Sequence, residues 1–311
     1  MSKNQSSTFC NLSKIVYLCT KIIRTVTIPL VSSFFMQQLK IVVSDRLKGN
    51  TAFMDFAKSL PESFNNIGTE IHTARNRLRI MDISHLGVDG INRVMVKRYH
   101  GLFWFQKIDY TFIRQPKCRK AYNNTEELRR RGFNAAEELA FVEVWNHGLY
   151  QYAFFISAVA EGIRLDNLVL TLQKQGEKTA IAKLIKQYAA LVKGLHEHGV
   201  LYWDMNCGNV ICHQEVSDGN WKFTLIDTNR VRFFDADTPL DLDTVIGDLI
   251  LMNPKLGTVE QFIAEYLKQR GIYSEAEVNR IREVQRHRYE RKRPVKRIVK
   301  TSLKKIQERL L

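Results

Sequence analysis

The 311-residue sequence is poor in the residues that build special scaffolds. Its five cysteines, Cys10, Cys19, Cys118, Cys207 and Cys212, contain no C-x-x-C pair. That argues against a disulfide framework and a zinc knuckle, and for a reducing compartment. Sixteen glycines and six prolines are too few for a collagenous or low-complexity chain. No internal repeat is visible. The longest uncharged run, Thr25 to Leu39, is broken by Pro29. It falls short of the roughly 20 apolar residues that a spanning helix needs.

What is present is an ordinary folded composition, 45% hydrophobic and 25% charged, with a net charge of +15. The charge is unevenly placed. Lys3, Lys14, Lys21, Arg24 and Lys40 face no acid in the first 40 residues, and residues 282–311 carry twelve Lys/Arg against Glu283, Glu290 and Glu308. The body between them is nearly neutral. Two basic ends suit an anionic partner, with a solvated tail as the plainer alternative. The tail lacks the interleaved aromatics of a nucleic-acid platform, so a nucleic-acid partner is not expected.

Residues 1–35 form a basic and apolar extension with three open readings: an interfacial anchor, a poor signal-anchor, or a stretch upstream of a start at Met36. A domain is expected over 36–279. Lys40 to Val43 reads as a strand, and Ala52 to Leu60 as a helix that Pro61 ends. Glu70 to Ile83 reads as strand–turn–strand, Gly87 to Gly90 as a turn, and Val94 to Tyr99 as a strand. A polar, basic helix follows over 117–131, closed by Gly132; then come strands at Ala140–Val144 and Tyr152–Ser157. The second half turns helical. Ile181, Leu184, Ile185, Tyr188, Leu191, Val192 and Leu195 recur at helical spacing. Two short strands, Val210–His213 and Trp221–Ile226, flank an Asp218-Gly219 turn. The pattern predicts an α+β, two-lobed fold with a cleft: a β-rich N-lobe over about 36–156 and a helical C-lobe over about 157–279. Residues 280–311 read as a basic amphipathic tail broken at Pro294, suited to an anionic membrane surface or to packing on the larger lobe.

The informative stretch runs from Leu195-His196 through Tyr202-Trp203-Asp204 to Gly208-Asn209-Val210-Ile211, followed by Leu225-Ile226-Asp227. Phosphoryl transfer needs this set of groups. One carboxylate takes the proton of the attacking hydroxyl, a carboxylate and an amide oxygen hold Mg²⁺, and an upstream strand lysine faces the phosphates. Lys97, in Val94-Met95-Val96-Lys97, fits the last place. His196 and His198 have no third ligand at metal spacing and read as structural.

These residues resemble the protein-kinase-like superfamily, and within it the bacterial lipopolysaccharide core (Kdo/heptose) kinases. Arg75-Asn76-Arg77, Lys117 to Asn123, the 195–211 segment and Ile226 to Phe233 carry the resemblance, which runs from about Met36 to about Gly271. It implies a protein-kinase-like fold and an ATP- and Mg²⁺-dependent kinase. Asp204 would be the catalytic base, Asn209 and Asp227 the metal residues, and Lys97 the contact to the α- and β-phosphates. Asn76 and Arg77, with the backbone of Ala74 to Arg77, would stand in for a glycine-rich phosphate loop. Glu126 or Glu127 would pair with Lys97, although both come late in the helix. Ser157 to Gly162 would be the inter-lobe linker that bonds adenine, and Arg230 and Arg232 would face an anionic acceptor from alternate positions of an extended chain. The implied acceptor is a Kdo or heptose hydroxyl of the lipopolysaccharide inner core, at the cytoplasmic face of the inner membrane. A catalytically silent scaffold and a small-molecule (antibiotic-type) kinase are the alternatives. Tyr202-Trp203 replaces His-Arg before the base, and Thr228-Asn229 replaces Phe-Gly after Asp227, which argues against control by a phosphorylated activation loop.

Overall fold

The computed structural model describes residues 37–73, 76–99, 103–215, 219–252 and 256–290. The expectations for residues 1–35, for Ala74 and Arg75, and for Pro294 with the rest of the tail lie outside the described residues.

The first half is a six-stranded antiparallel sheet in the order β1-β5-β6-β4-β3-β2. Its strands are β1 (Gln38–Val43), β2 (Thr69–Thr73), β3 (Asn76–Asp82), β4 (Arg93–Tyr99), β5 (Glu138–Asn146) and β6 (Leu149–Ala158). The pleat sorts β5 and β6 between two cores, because successive side chains face opposite ways. Val142, Val144, Phe154 and Ile156 meet Phe53, Ala57 and Leu60 of α1 (Thr51–Ser63). Phe141, Ala153 and Phe155 meet Cys118, Ala121 and Tyr122 of a helix over Lys117–Arg130. A strand covered on both faces reads as the near-continuous apolar run seen here. Pro61 does not end α1; it lies inside the last turn. A proline there removes one N–H, and buried Leu60 and Phe64 hold the turn, with the Phe64 N–H still reaching the Leu60 carbonyl at 3.0 Å.

Two helices join β4 to β5: α2 (Trp104–Phe112) and α3 (Lys117–Arg130). The apolar spacing of α2 was not read as a helix in the sequence. In the second half, β7 (Ile163–Arg164) precedes α4 (Leu165–Gln175) and α5 (Lys178–Glu197). The stripe from Leu184 to Leu195 is buried at the centre of the helical core. The strands β8 (Val200–Leu201), β9 (Val210–Gln214), β10 (Trp221–Leu225) and β11 (Arg232–Phe233) form two small sheets, β10-β9-β7 and β11-β8. Gly199 ends α5 at φ +65°, where a Cβ would strike the Asp235 carbonyl. Helices α6 (Leu242–Leu249) and α7 (Val259–Gln269) complete the core, with Phe262 stacked on Tyr188 at 5.0 Å.

Residues 275–290 form α8. It crosses position 280, where the tail was expected to begin. Ile281 is buried in the helical core, and Gln285 Nε2 donates to the Met252 carbonyl at 2.9 Å. This part of the basic segment therefore packs on the larger lobe. Among the described residues no helix is long and apolar enough to cross a membrane.

Candidate active site

Lys97 lies on the face of β4 that looks at the helical half, and its side chain is 11% exposed. Its Nζ donates to Asp227 Oδ1 at 2.6 Å, across 130 residues of sequence, and stands 5.2 Å over the Tyr99 ring. Asp227 follows β10 in the left-handed region (φ 61°, ψ 53°). Asp tolerates this conformation better than most side chains. It points the carboxylate back at the sheet, where Asn229 Nδ2 also donates to Oδ1.

The loop after β8 is held from below. The Tyr202 N–H donates to Asp248 Oδ2 of α6 at 2.6 Å, and the Tyr202 hydroxyl donates to the Ile226 carbonyl at 2.6 Å. Trp203 then takes φ 60°, and the chain turns at Asp204. The Asp204 carbonyl accepts from the Asn206 N–H (2.7 Å) and Asn209 Nδ2 (2.9 Å). Its Oδ1 accepts from Asn206 Nδ2 at 3.0 Å, and its Oδ2 lies 3.4 Å from the Arg230 guanidinium. The Ile226 N–H donates to the Asn209 carbonyl, which ties the Asp227 segment to this loop. His196 sits beneath, bonded to the Tyr266 hydroxyl at 2.8 Å and facing Asp248 at 3.5 Å; burial lowers its pKa. Both histidines are structural, His198 bonding the Gly194 carbonyl.

Two cavities meet this loop. One, of about 400 Å³, lies between the lobes and is lined by Asn76, Lys97, Ser157, Ala160, Asn209 and Asp227 among others. The other, of about 680 Å³, is lined by Lys120, Trp203, Asn229, Arg230, Arg232 and Arg288 among others. Asp204 bonds Asn209 on the first and faces Arg230 on the second. The amide nitrogen of Asn209 is committed to Asp204, which leaves its Oδ1, with the Asp227 carboxylate of the same cavity, as hard oxygen donors. Among the described residues no cluster of three His, Cys, Asp or Glu could hold a metal. A two-oxygen set fits Mg²⁺, which takes its other ligands from phosphate and water.

Not every expected residue faces the cleft. Asn76 does, but the pleat turns Arg77 to the other side of β3, onto Glu70 (2.5 Å) and Asn65 (2.7 Å). Glu126 is exposed, and Glu127 pairs with Arg130 and Arg131, which hold its carboxyl down at about 2. The reason is helical phase: Ala121 and Thr125, four residues apart, are the α3 residues on the cavity. Asp227, not a helix glutamate, therefore anchors Lys97. Arg230 and Arg232 do share a cavity, but Arg230 sits in a 3-10 turn and Arg232 lies flat on Trp203 at 4.4 Å, so strand alternation is not the cause. In the linker, Ser157, Ala158 and Ala160 line the first cavity; the Ala158 N–H already donates to the Glu137 carbonyl.

Asp248 escaped the sequence reading. Its signal was an acid beside Val245 and Leu249 on the buried face of the apolar α6. The α3 clamp escaped it as well. Asn124 Nδ2 donates to the Thr228 and Val231 carbonyls (2.8 and 3.2 Å), and the Thr125 and Thr228 hydroxyls bond each other at 2.7 Å.

A β-rich lobe over a helical lobe, with a strand lysine bonded to an aspartate beside an Asp-x4-Asn loop, is a kinase-like architecture. The comparisons narrow the class. Residues 87–237 match the model of the lipopolysaccharide kinase (Kdo/WaaP) family. A solved structure described as WaaP in complex with acyl carrier protein shares the fold, with 15% identity and a TM-score of 0.51 over 81% of this chain and 97% of that one. No curated protein matches the chain.

Proposed function

We propose that this kinase transfers the γ-phosphoryl group of ATP to a Kdo or heptose hydroxyl of the lipopolysaccharide inner core, working at the cytoplasmic face of the inner membrane. The observation that carries the reading is the convergence of Lys97, Asn209 and Asp227, drawn from both lobes, on the 400 Å³ cavity, with Asp204 bonded to Asn209 beside it. Lys97 contacts the α- and β-phosphates once nucleotide competes for its ion pair. Asn209 and Asp227 would hold Mg²⁺, which would supply positive charge against the phosphates. Asp204 orients the acceptor hydroxyl and takes its proton as the new O–P bond forms and the bond to the ADP oxygen breaks. The second cavity, with Arg230 and Arg232, receives the acceptor. The basic ends favour an anionic membrane. The domain limits 36–279, with flanking extensions, are part of this proposal.

The test is phosphate analysis of lipopolysaccharide from cells with and without the gene. One missing phosphate, restored by the wild type and not by Asp204→Asn, is the expected result. An unchanged glycan removes the core-sugar reading, and ATP turnover in vitro then separates a small-molecule kinase from a silent scaffold.

A further inference from the structure

Helix α2 is amphipathic in the reverse sense. A surface helix ordinarily turns its apolar stripe inward and its polar residues to water. Here the polar residues bind the sheet: Lys107 Nζ donates to Gln151 Oε1 at 2.6 Å, and Thr111 Oγ1 accepts from the Tyr150 N–H at 3.0 Å. Tyr110 also packs inward, 5.6 Å from Tyr150, and the other large apolar side chains face out. Phe103, Trp104, Phe105, Phe112 and Ile113 are 68, 75, 53, 59 and 74% exposed. Trp104, Ile108 and Phe112 recur every four residues and form one stripe, and the rings of Phe103, Trp104 and Phe105 cluster at its head. A contiguous exposed patch of this kind marks an interaction surface.

Three observations select the partner. The patch is rich in Phe and Trp, which suits the boundary between headgroups and acyl chains. Its C-terminal flank is basic: Arg114, paired with Asp109, is followed by Lys117 and Lys120, while Lys107 is turned to the sheet and Arg119 to Glu143. Basic residues beside an apolar face add attraction to anionic headgroups. The helix also leads straight to the second cavity, because Gln115, two residues after Ile113, lines that cavity together with Lys120.

We propose that α2 is a membrane-inserting wedge: its aromatic face enters the interface of an anionic bilayer and sets the mouth of the second cavity at the membrane surface. The wedge gives the enzyme a fixed orientation at the membrane surface. Its consequence for lipid-linked acceptors rests on the kinase reading above, but the binding itself does not.

The experiment is co-sedimentation of the full-length protein, without nucleotide or acceptor, with vesicles of phosphatidylethanolamine and phosphatidylglycerol. The triple variant Trp104→Ser, Phe105→Ser, Phe112→Ser is expected to partition about tenfold more weakly than wild type, with unchanged thermal midpoint and unchanged basal ATP turnover. Brominated acyl chains are expected to quench wild-type tryptophan fluorescence, and Trp104→Phe, which keeps the apolar face, to lose most of that quenching. Equal partition of wild type and triple variant would overturn the proposal. So would a wild-type dimer in sedimentation velocity that the triple variant abolishes, with vesicle binding unchanged, because the face would then belong to a second copy. Failure of the kinase reading is seen separately, as absent turnover in a protein that still binds vesicles.

Discussion

Lys97 and Asp227 hold one another across the lobes, and that pair sets what single substitutions do. The lysine head is nearly buried while Asp227 is 32% exposed, so removing the lysine leaves a carboxylate that water still reaches. Lys97→Met is expected to lower kcat/KM for ATP by about a hundredfold or more, the scale of losing a preorganised charge at a phosphate. Its thermal midpoint is expected to stay close to wild type. Steady-state kinetics and a thermal scan on one preparation check both halves. Asp248 behaves in the opposite way. It is 2% exposed and accepts the Tyr202 N–H at 2.6 Å. Asp248→Ala leaves that buried donor without its acceptor, which costs about 2 kcal/mol or more, and it loosens the loop that carries Asp204. A fall in both chemical stability and kcat is expected, measured by denaturant unfolding beside turnover.

At the scale of elements, α3 is fixed at two points. Its first turn is pinned to β5 by Arg119, whose guanidinium bonds the fully buried Glu143 carboxylate at 2.8 and 2.9 Å. Its middle is tied to the segment after Asp227 by Asn124 and Thr125. Arg119→Ala strands a buried carboxylate and is expected to cost about 3 kcal/mol in unfolding free energy. Asn124→Ala combined with Thr125→Val cuts the tie to Thr228, and is expected to weaken ATP turnover by more than its stability loss explains. These elements also show what the sequence made legible. Strands, the long α5 and the spacing of Asp204, Asn209 and Asp227 are local signals, and they are where the reading placed them. Arg77 and Glu126 depended on phase: one step along a strand or helix moves a side chain to another face, and position in the chain does not set that phase. Helix α2 was illegible for a different reason. Its apolar spacing predicts a buried stripe, whereas the aromatics are exposed and Lys107 and Thr111 meet the sheet. Asp248 lies 44 residues beyond the loop it supports, a relation only the fold creates.

Across the whole molecule the two lobes differ in their response to acid. The helical core encloses His196, 1% exposed, between α5, α6 and α7, where it bonds Tyr266 and faces Asp248, with Arg270 nearby on the Tyr266 hydroxyl. Burial, opposed by Asp248 and reinforced by the Arg270 charge, lowers the His196 pKa. Above about pH 6.5, the unfolded value, the ring is neutral in both states and the histidine has no pH-dependent effect. As the pH falls below that, the unfolded chain takes up a proton that the folded core resists, and stability is lost by up to about 1.4 kcal/mol per pH unit until the folded pKa is reached. Among the described residues His196 is the only buried histidine, and it lies in the helical core. Lowering the pH from 7 to about 5 is therefore expected to reduce hydrogen-exchange protection in α5 and α7 before it does so in β5 and β6. His196→Gln, which keeps a neutral hydrogen-bonding group in the same place, is expected to flatten that dependence at some cost in baseline stability. Equal loss of protection in both lobes would mean that acid acts on the molecule through its many surface carboxylates and not through this buried ring.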